Sequence, residues 1–113
     1  MDDKTLTALK GSIAKWDAIA DGTGADRGID NCPLCALFYN HNCDGCPVYE
    51  KTEYEDCQNS PYEQWQHDYR SECGIYPTGA GGGAYATTDS LKALARKEAD
   101  FLRSLLPESD ATP

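Results

Sequence analysis

Two Cys-x-x-Cys steps set close together constrain this chain more than any other feature: Cys32-Pro33-Leu34-Cys35 and Cys43-Asp44-Gly45-Cys46. A tetrahedral zinc ion takes four thiolates, and two such short turns can each deliver two of them. The expected ligands are therefore Cys32, Cys35, Cys43 and Cys46 around one zinc ion. Cys57 follows closely and could replace Cys43. His41 lies between the two steps and could supply a nitrogen, although an exposed loop residue is the simpler reading. An iron–sulfur cluster is the rival cofactor, because it too is held by four thiolates, but the spacing here does not match ferredoxin patterns. Four thiolates close the zinc shell, whereas catalytic zinc keeps a position open for water, so the expected role is structural.

At 113 residues the chain is one domain's worth. A core that small is marginal, and a metal staple would support it. The opening residues Met1-Asp2-Asp3-Lys4 are mixed in charge, and no long apolar run follows them. No stretch approaches membrane-spanning length. The expected compartment is therefore a reducing cytoplasm, where cysteines serve as metal ligands and buried thiols before they serve as disulfides. In an oxidising setting the even cysteine count would instead imply up to three bridges, and only there could Cys57 and Cys73 pair.

The net charge of -9 is concentrated in the middle of the chain. Asp44, Glu50, Glu53, Glu55, Asp56, Glu63, Asp68 and Glu72 face only Lys51 and Arg70 there, while the flanking segments are nearly balanced. Nucleic-acid affinity depends on Lys and Arg displacing counterions from phosphates, so this segment disfavours a nucleic-acid partner. A protein with a basic surface would suit it better. The plain alternative is an acidic surface that only keeps a small domain soluble.

Leu6, Leu9, Ile13, Trp16 and Ala20 recur at helical spacing and predict a helix over residues 4–20. Gly11 costs about 1 kcal/mol relative to alanine there, and Ser12 could cap a restart, so the helix could begin afresh at residue 12. Residues 21–31 read as a solvated Gly/Asp loop without dinucleotide or calcium-loop spacing. The cysteine-rich region spans 31–59. Within it Pro33 can open a helical turn, and residues 47–57 read as irregular. Ser60-Pro61-Tyr62-Glu63 is a strong helix start and predicts a helix over 61–73, with Tyr62, Trp65, Tyr69 and Cys73 on one inward face and His67 on its polar flank. A Gly-rich loop over 75–88 lacks the Gly-Lys-Ser/Thr ending of a phosphate loop. Leu91, Leu94, Ala95, Phe101, Leu102 and Leu105 predict a helix over 89–106, capped by Thr88 or Asp89, and residues 107–113 form a frayed tail. Lys92, Arg96, Lys97 and Arg103 lie on its polar side and offer the only basic surface, diluted by Glu98, Asp100 and Glu108.

The expected architecture is a small mainly-α domain, with two longer helices and one shorter helix around a Cys-rich metal knuckle. No catalytic constellation is present: there is no His-Glu-x-x-His, no nucleophile elbow, and no strand–helix context for a thioredoxin-like pair. The expectation is a non-enzymatic, zinc-stabilised interaction module. A nucleic-acid-binding zinc protein and an iron–sulfur or redox protein stand as alternatives.

The runs Gly11-Ser12-Ile13-Ala14-Lys15-Trp16, Asn31-Cys32-Pro33-Leu34-Cys35, Cys43-Asp44-Gly45-Cys46-Pro47-Val48, Cys57 and Ser60-Pro61-Tyr62 together resemble a family of small cysteine-rich bacteriophage and prophage proteins. The closing Glu98-Ala99-Asp100-Phe101-Leu102-Arg103-Ser104-Leu105-Leu106-Pro107 is similar to the final helix of that family. The resemblance covers most of the chain, apart from the glycine run at 79–83. It implies a phage setting, and a host protein as partner, rather than an activity. It also implies a recurring cysteine at Cys57 and lends nothing to Cys73.

Overall fold

A computed structural model describes residues 1–27, 31–38, 44–53, 60–73 and 83–107. Within them the chain is a small, mainly helical domain with the order α1 (Asp3–Ala20), β1 (Ala25–Asp26), α2 (Pro33–Phe38), α3 (Pro47–Thr52), α4 (Pro61–Cys73), β2 (Ala84–Tyr85) and α5 (Asp89–Arg103). Among the described residues the three expected helices are present as α1, α4 and α5, and two six-residue helices, α2 and α3, are added.

Helix α1 starts at Asp2, whose carboxylate accepts the Thr5 amide at 2.7 Å. It then runs unbroken through Gly11. A Cβ at residue 11 would come within 3.1 Å of Pro33 Cγ, so the glycine admits the start of α2 against α1 instead of interrupting the helix. The helix buries Leu9, Ile13, Trp16 and Ile19. Its main partner is α5, which contributes Leu91, Leu94, Ala95, Ala99 and Leu102 to the same core.

The α1–α5 seam is closed at its rim by an ionic lattice. Arg96 donates to Asp17 at 2.8 Å and to Asp21 at 3.3 Å, and Arg103 bonds Asp17 and Asp100. Exposed pairs of this kind contribute at most about 1 kcal/mol each, so they set the register of the two helices more than they stabilise them. The lattice also commits two of the four basic residues on the polar side of α5.

Helix α4 spans the segment expected from its start signal, and Ser60 Oγ accepts the Tyr62 amide at 3.3 Å. Of its inward aromatics, Trp65 is fully buried and meets Trp16 edge-on at 5.3 Å; the partly buried Tyr62 packs edge-on against Trp16 at 5.5 Å, and the partly buried Tyr69 lies tilted against Trp65 at 5.8 Å. His67 is exposed beside Asp68, as its position on the polar flank suggested.

Thr88 is the N-cap of α5: its hydroxyl accepts the Leu91 amide at 3.2 Å and donates to Glu72 Oε1 at 2.9 Å, tying the end of α4 to the start of α5. Thr88→Ala is expected to cost about 1 kcal/mol, read as a lower urea midpoint with an unchanged slope. The helix stops at Arg103, three residues before the expected end, because the amides of Leu105 and Leu106 turn back to the carbonyls of Leu102 and Arg103 in a tighter turn.

Three segments depart from their sequence reading. Residues 47–52, expected to be irregular, form α3, with Pro47 in the first turn and Glu53 closing it in the left-handed conformation at φ 64°. The loops at 21–31 and 75–88 are not plain connections either. Ala25 pairs with Tyr85 and Asp26 with Ala84 in a two-stranded antiparallel ladder. Gly83 enters β2 at φ 96°, and a Cβ there would lie 2.8 Å from Arg27 Cγ. The ladder pins β1 against α1 and turns Asp26 into the interior, where it is 0% exposed.

Candidate metal centre and a buried charged hub

Cys32 immediately precedes α2. The turn is fixed by the Ala36 amide, which donates to the Cys32 carbonyl at 3.0 Å. Pro33 fits the first helical position because a helix leaves that N–H without an internal partner. This turn brings the Cys35 amide to 3.2 Å from Cys32 Sγ, to which it donates. The Cys35 side chain also hydrogen-bonds Cys32, and this contact is the largest influence pulling the Cys32 thiol down to about 6. Burial opposes the shift, and the Cys35 amide and the Lys15 charge assist it. At neutral pH Cys32 is therefore largely a thiolate, the form that binds soft metals.

The turn thus places Cys32 and Cys35 side by side. Cys46 is buried at 6% exposure, at the N-cap of α3, and belongs to the hydrophobic core. Among the described residues no three His, Cys, Asp or Glu side chains converge as a metal site. Cys43, Cys57, His41 and the Cys73 side chain lie outside the described residues, as do 54–59, 74–82 and 108–113. The donor chemistry of Cys32 and Cys35 suits zinc: two adjacent sulfurs on one turn, with the Cys35 amide donating to the Cys32 sulfur.

Beside this step lies a hub that the sequence reading missed. Lys15, on α1, is almost enclosed. Its ammonium donates to Asp26 Oδ1 at 3.0 Å, with 9% and 0% of the two side chains exposed, and it lies 5.2 Å from the centre of the Trp16 ring. Trp65 Nε1 donates to the other Asp26 oxygen at 2.9 Å. Glu98, on α5, is 3% exposed, and its Oε1 makes no hydrogen bond among the described residues. Burial pushes its carboxyl up to about 8; Lys15 opposes this, and Cys32 and Asp26 add to it. Four segments therefore bring one ammonium together with two carboxyls and a thiol. The ammonium assists Cys32, while burial leaves Glu98 with its proton at neutral pH.

Glu98 was expected to dilute the polar side of α5, and that expectation is corrected. It continues the stripe Leu91, Leu94, Ala95, Leu102, so an acid on an apolar face was the readable signal. Asp26 offered no such signal in a loop of Gly and Asp. No family model, curated protein or solved structure matches the chain.

Proposed function

We propose that the chain is a small helical module whose cysteine steps hold one structural zinc ion and which binds, rather than transforms, a protein partner. The observation that carries the zinc reading is the turn that brings the first two cysteines together, with the Cys35 amide donating to the Cys32 sulfur at 3.2 Å. Cys32 and Cys35 would supply half of the shell, and Cys46 with Cys43 or Cys57 the remainder. The metal would be Lewis-inert here, joining α2 to the segment around α3.

The partner class follows from charge. Asp44, Glu50, Glu53, Glu63 and Glu72 are all exposed, while Arg96 and Arg103 are already bonded to acids on α1 and α5. That balance favours a basic protein surface over a nucleic acid, whose phosphates need free cations. Trp65 is spent in the core and Tyr62 and Tyr69 pack partly buried against it, so recognition would rest mainly on the acids. In the phage setting that the cysteine pattern resembles, the partner would be a host protein.

Protein purified under reducing conditions is expected to carry about one zinc per chain, and chelation is expected to lower its helical signal and thermal midpoint. A metal-free preparation with unchanged helicity would remove the zinc reading. A pull-down from host lysate should recover a basic protein at low salt and lose it as salt rises. Recovery of nothing above background would remove the interaction reading.

A further inference from the structure

We propose that Cys32 and Cys35 close to a reversible disulfide by exchange with a low-molecular-weight disulfide, and that closure ejects any metal the pair holds. The ejection rests on the zinc reading above; the disulfide does not.

The two cysteines share a turn held by the Ala36 amide, and the Cys35 amide donates to the Cys32 sulfur at 3.2 Å. Residues three apart on a helical turn have Cβ atoms about 5–6 Å apart, and a disulfide needs roughly 3.5–4.5 Å. Closure therefore takes a small local movement. It falls on a helix of six residues that is exposed at Ala36 and Leu37. A bridge formed under such strain is of the readily reduced, regulatory kind. Selectivity follows from access, since Cys32 and Cys35 are half-buried while Cys46 is sealed in the core.

The exchange balances with oxidised glutathione as the oxidant. The Cys32 sulfur, which the Cys35 amide supports as an anion, attacks one glutathione sulfur. The glutathione S–S bond breaks, and one glutathione thiolate leaves. Cys35 then gives its proton to solvent and attacks the Cys32 sulfur, expelling the second glutathione thiolate. Two protein thiols have lost two electrons, and one small disulfide has become two thiols. A metal bound by the pair loses two thiolate donors in the same event.

The test treats the full chain, as purified in reduced form, with graded ratios of oxidised to reduced glutathione. Reactions are acid-quenched and alkylated, and read by peptide mass mapping with a zinc-sensitive dye alongside. The expected result is a peptide joining Cys32 to Cys35, two hydrogens lighter, reversed by dithiothreitol, with Cys46 still alkylated. Cys35→Ser should instead hold a stable glutathione adduct on Cys32. Persistent adducts on wild-type Cys32 without the internal bridge, or earlier oxidation of Cys46, would overturn the proposal. Bridge formation on zinc-loaded protein without dye response would overturn the ejection. Reduced protein that carries no zinc would instead remove only the zinc reading and leave the bridge standing.

Discussion

Asp26→Ala is expected to destabilise the fold by about 3–5 kcal/mol, the usual consequence of removing one partner from a buried ion pair. Small domains have only about 5–15 kcal/mol in total, so the variant should sit near its unfolding limit. The reason is what Asp26 leaves behind. The Lys15 ammonium loses its 3.0 Å partner at 9% exposure, and the Trp65 indole N–H loses its acceptor at 2.9 Å in a fully buried site. The loss should be largely a property of the abandoned charge. Combining Lys15→Met with Asp26→Asn removes both charges, keeps an acceptor for Trp65, and should recover more than half of the single-variant loss. Both tryptophans of the chain, Trp16 and Trp65, lie at this hub, so their fluorescence during urea unfolding reads the relevant core directly. An Asp26→Ala loss under about 1 kcal/mol, the range of an exposed pair, would show that the pair is not a buried one.

That the hub was not legible while the helices were has a physical cause. Helices α1, α4 and α5 announce themselves locally, through stripes at helical spacing and through Ser60-Pro61 and Thr88 as starts. Helix α3 is six residues long, too short for a period to register, and Pro47 was its one local mark. Strands of two residues carry no alternation at all, so the β1–β2 pairing is a purely long-range fact. Asp26 depends on it completely. Its partners Lys15 and Trp65 stand 11 and 39 residues away in sequence, and only the ladder turns its side chain toward them. The candidate metal ligands divide in the same way. Cys32 and Cys35 share one turn, and their adjacency could be read from spacing, whereas the position of Cys46 relative to them depends on how α3 docks.

Glu98 makes the strongest prediction about pH. Its carboxyl titrates near 8 in the fold against an ordinary value of 4.5, because burial disfavours the anion. The native state therefore keeps a proton that the unfolded chain gives up, and this contribution to stability is complete below about 4.5 and lost as pH rises toward 8. At about 1.4 kcal/mol per pH unit, the loss is on the order of 5 kcal/mol. Cys32 acts with the opposite sign. Its thiol titrates near 6 instead of 9, so its contribution is complete above 9 and lost as pH falls through 6. In metal-free, reduced protein the two groups leave a distinct profile. Stability should fall from pH 4.5 to 6, where Glu98 acts alone, and flatten between 6 and 8, where the two oppose each other. Glu98→Gln places a neutral amide in the same volume and removes one of the two influences. The variant should match wild type within about 1 kcal/mol near pH 5, exceed it by a few kcal/mol at pH 8, and gain stability between pH 6 and 9. Urea midpoints at half-unit pH steps give both curves. If wild type and Glu98→Gln run parallel from pH 5 to 8, Glu98 is ionised in the native state, and the hub holds a second buried anion instead of a buried proton.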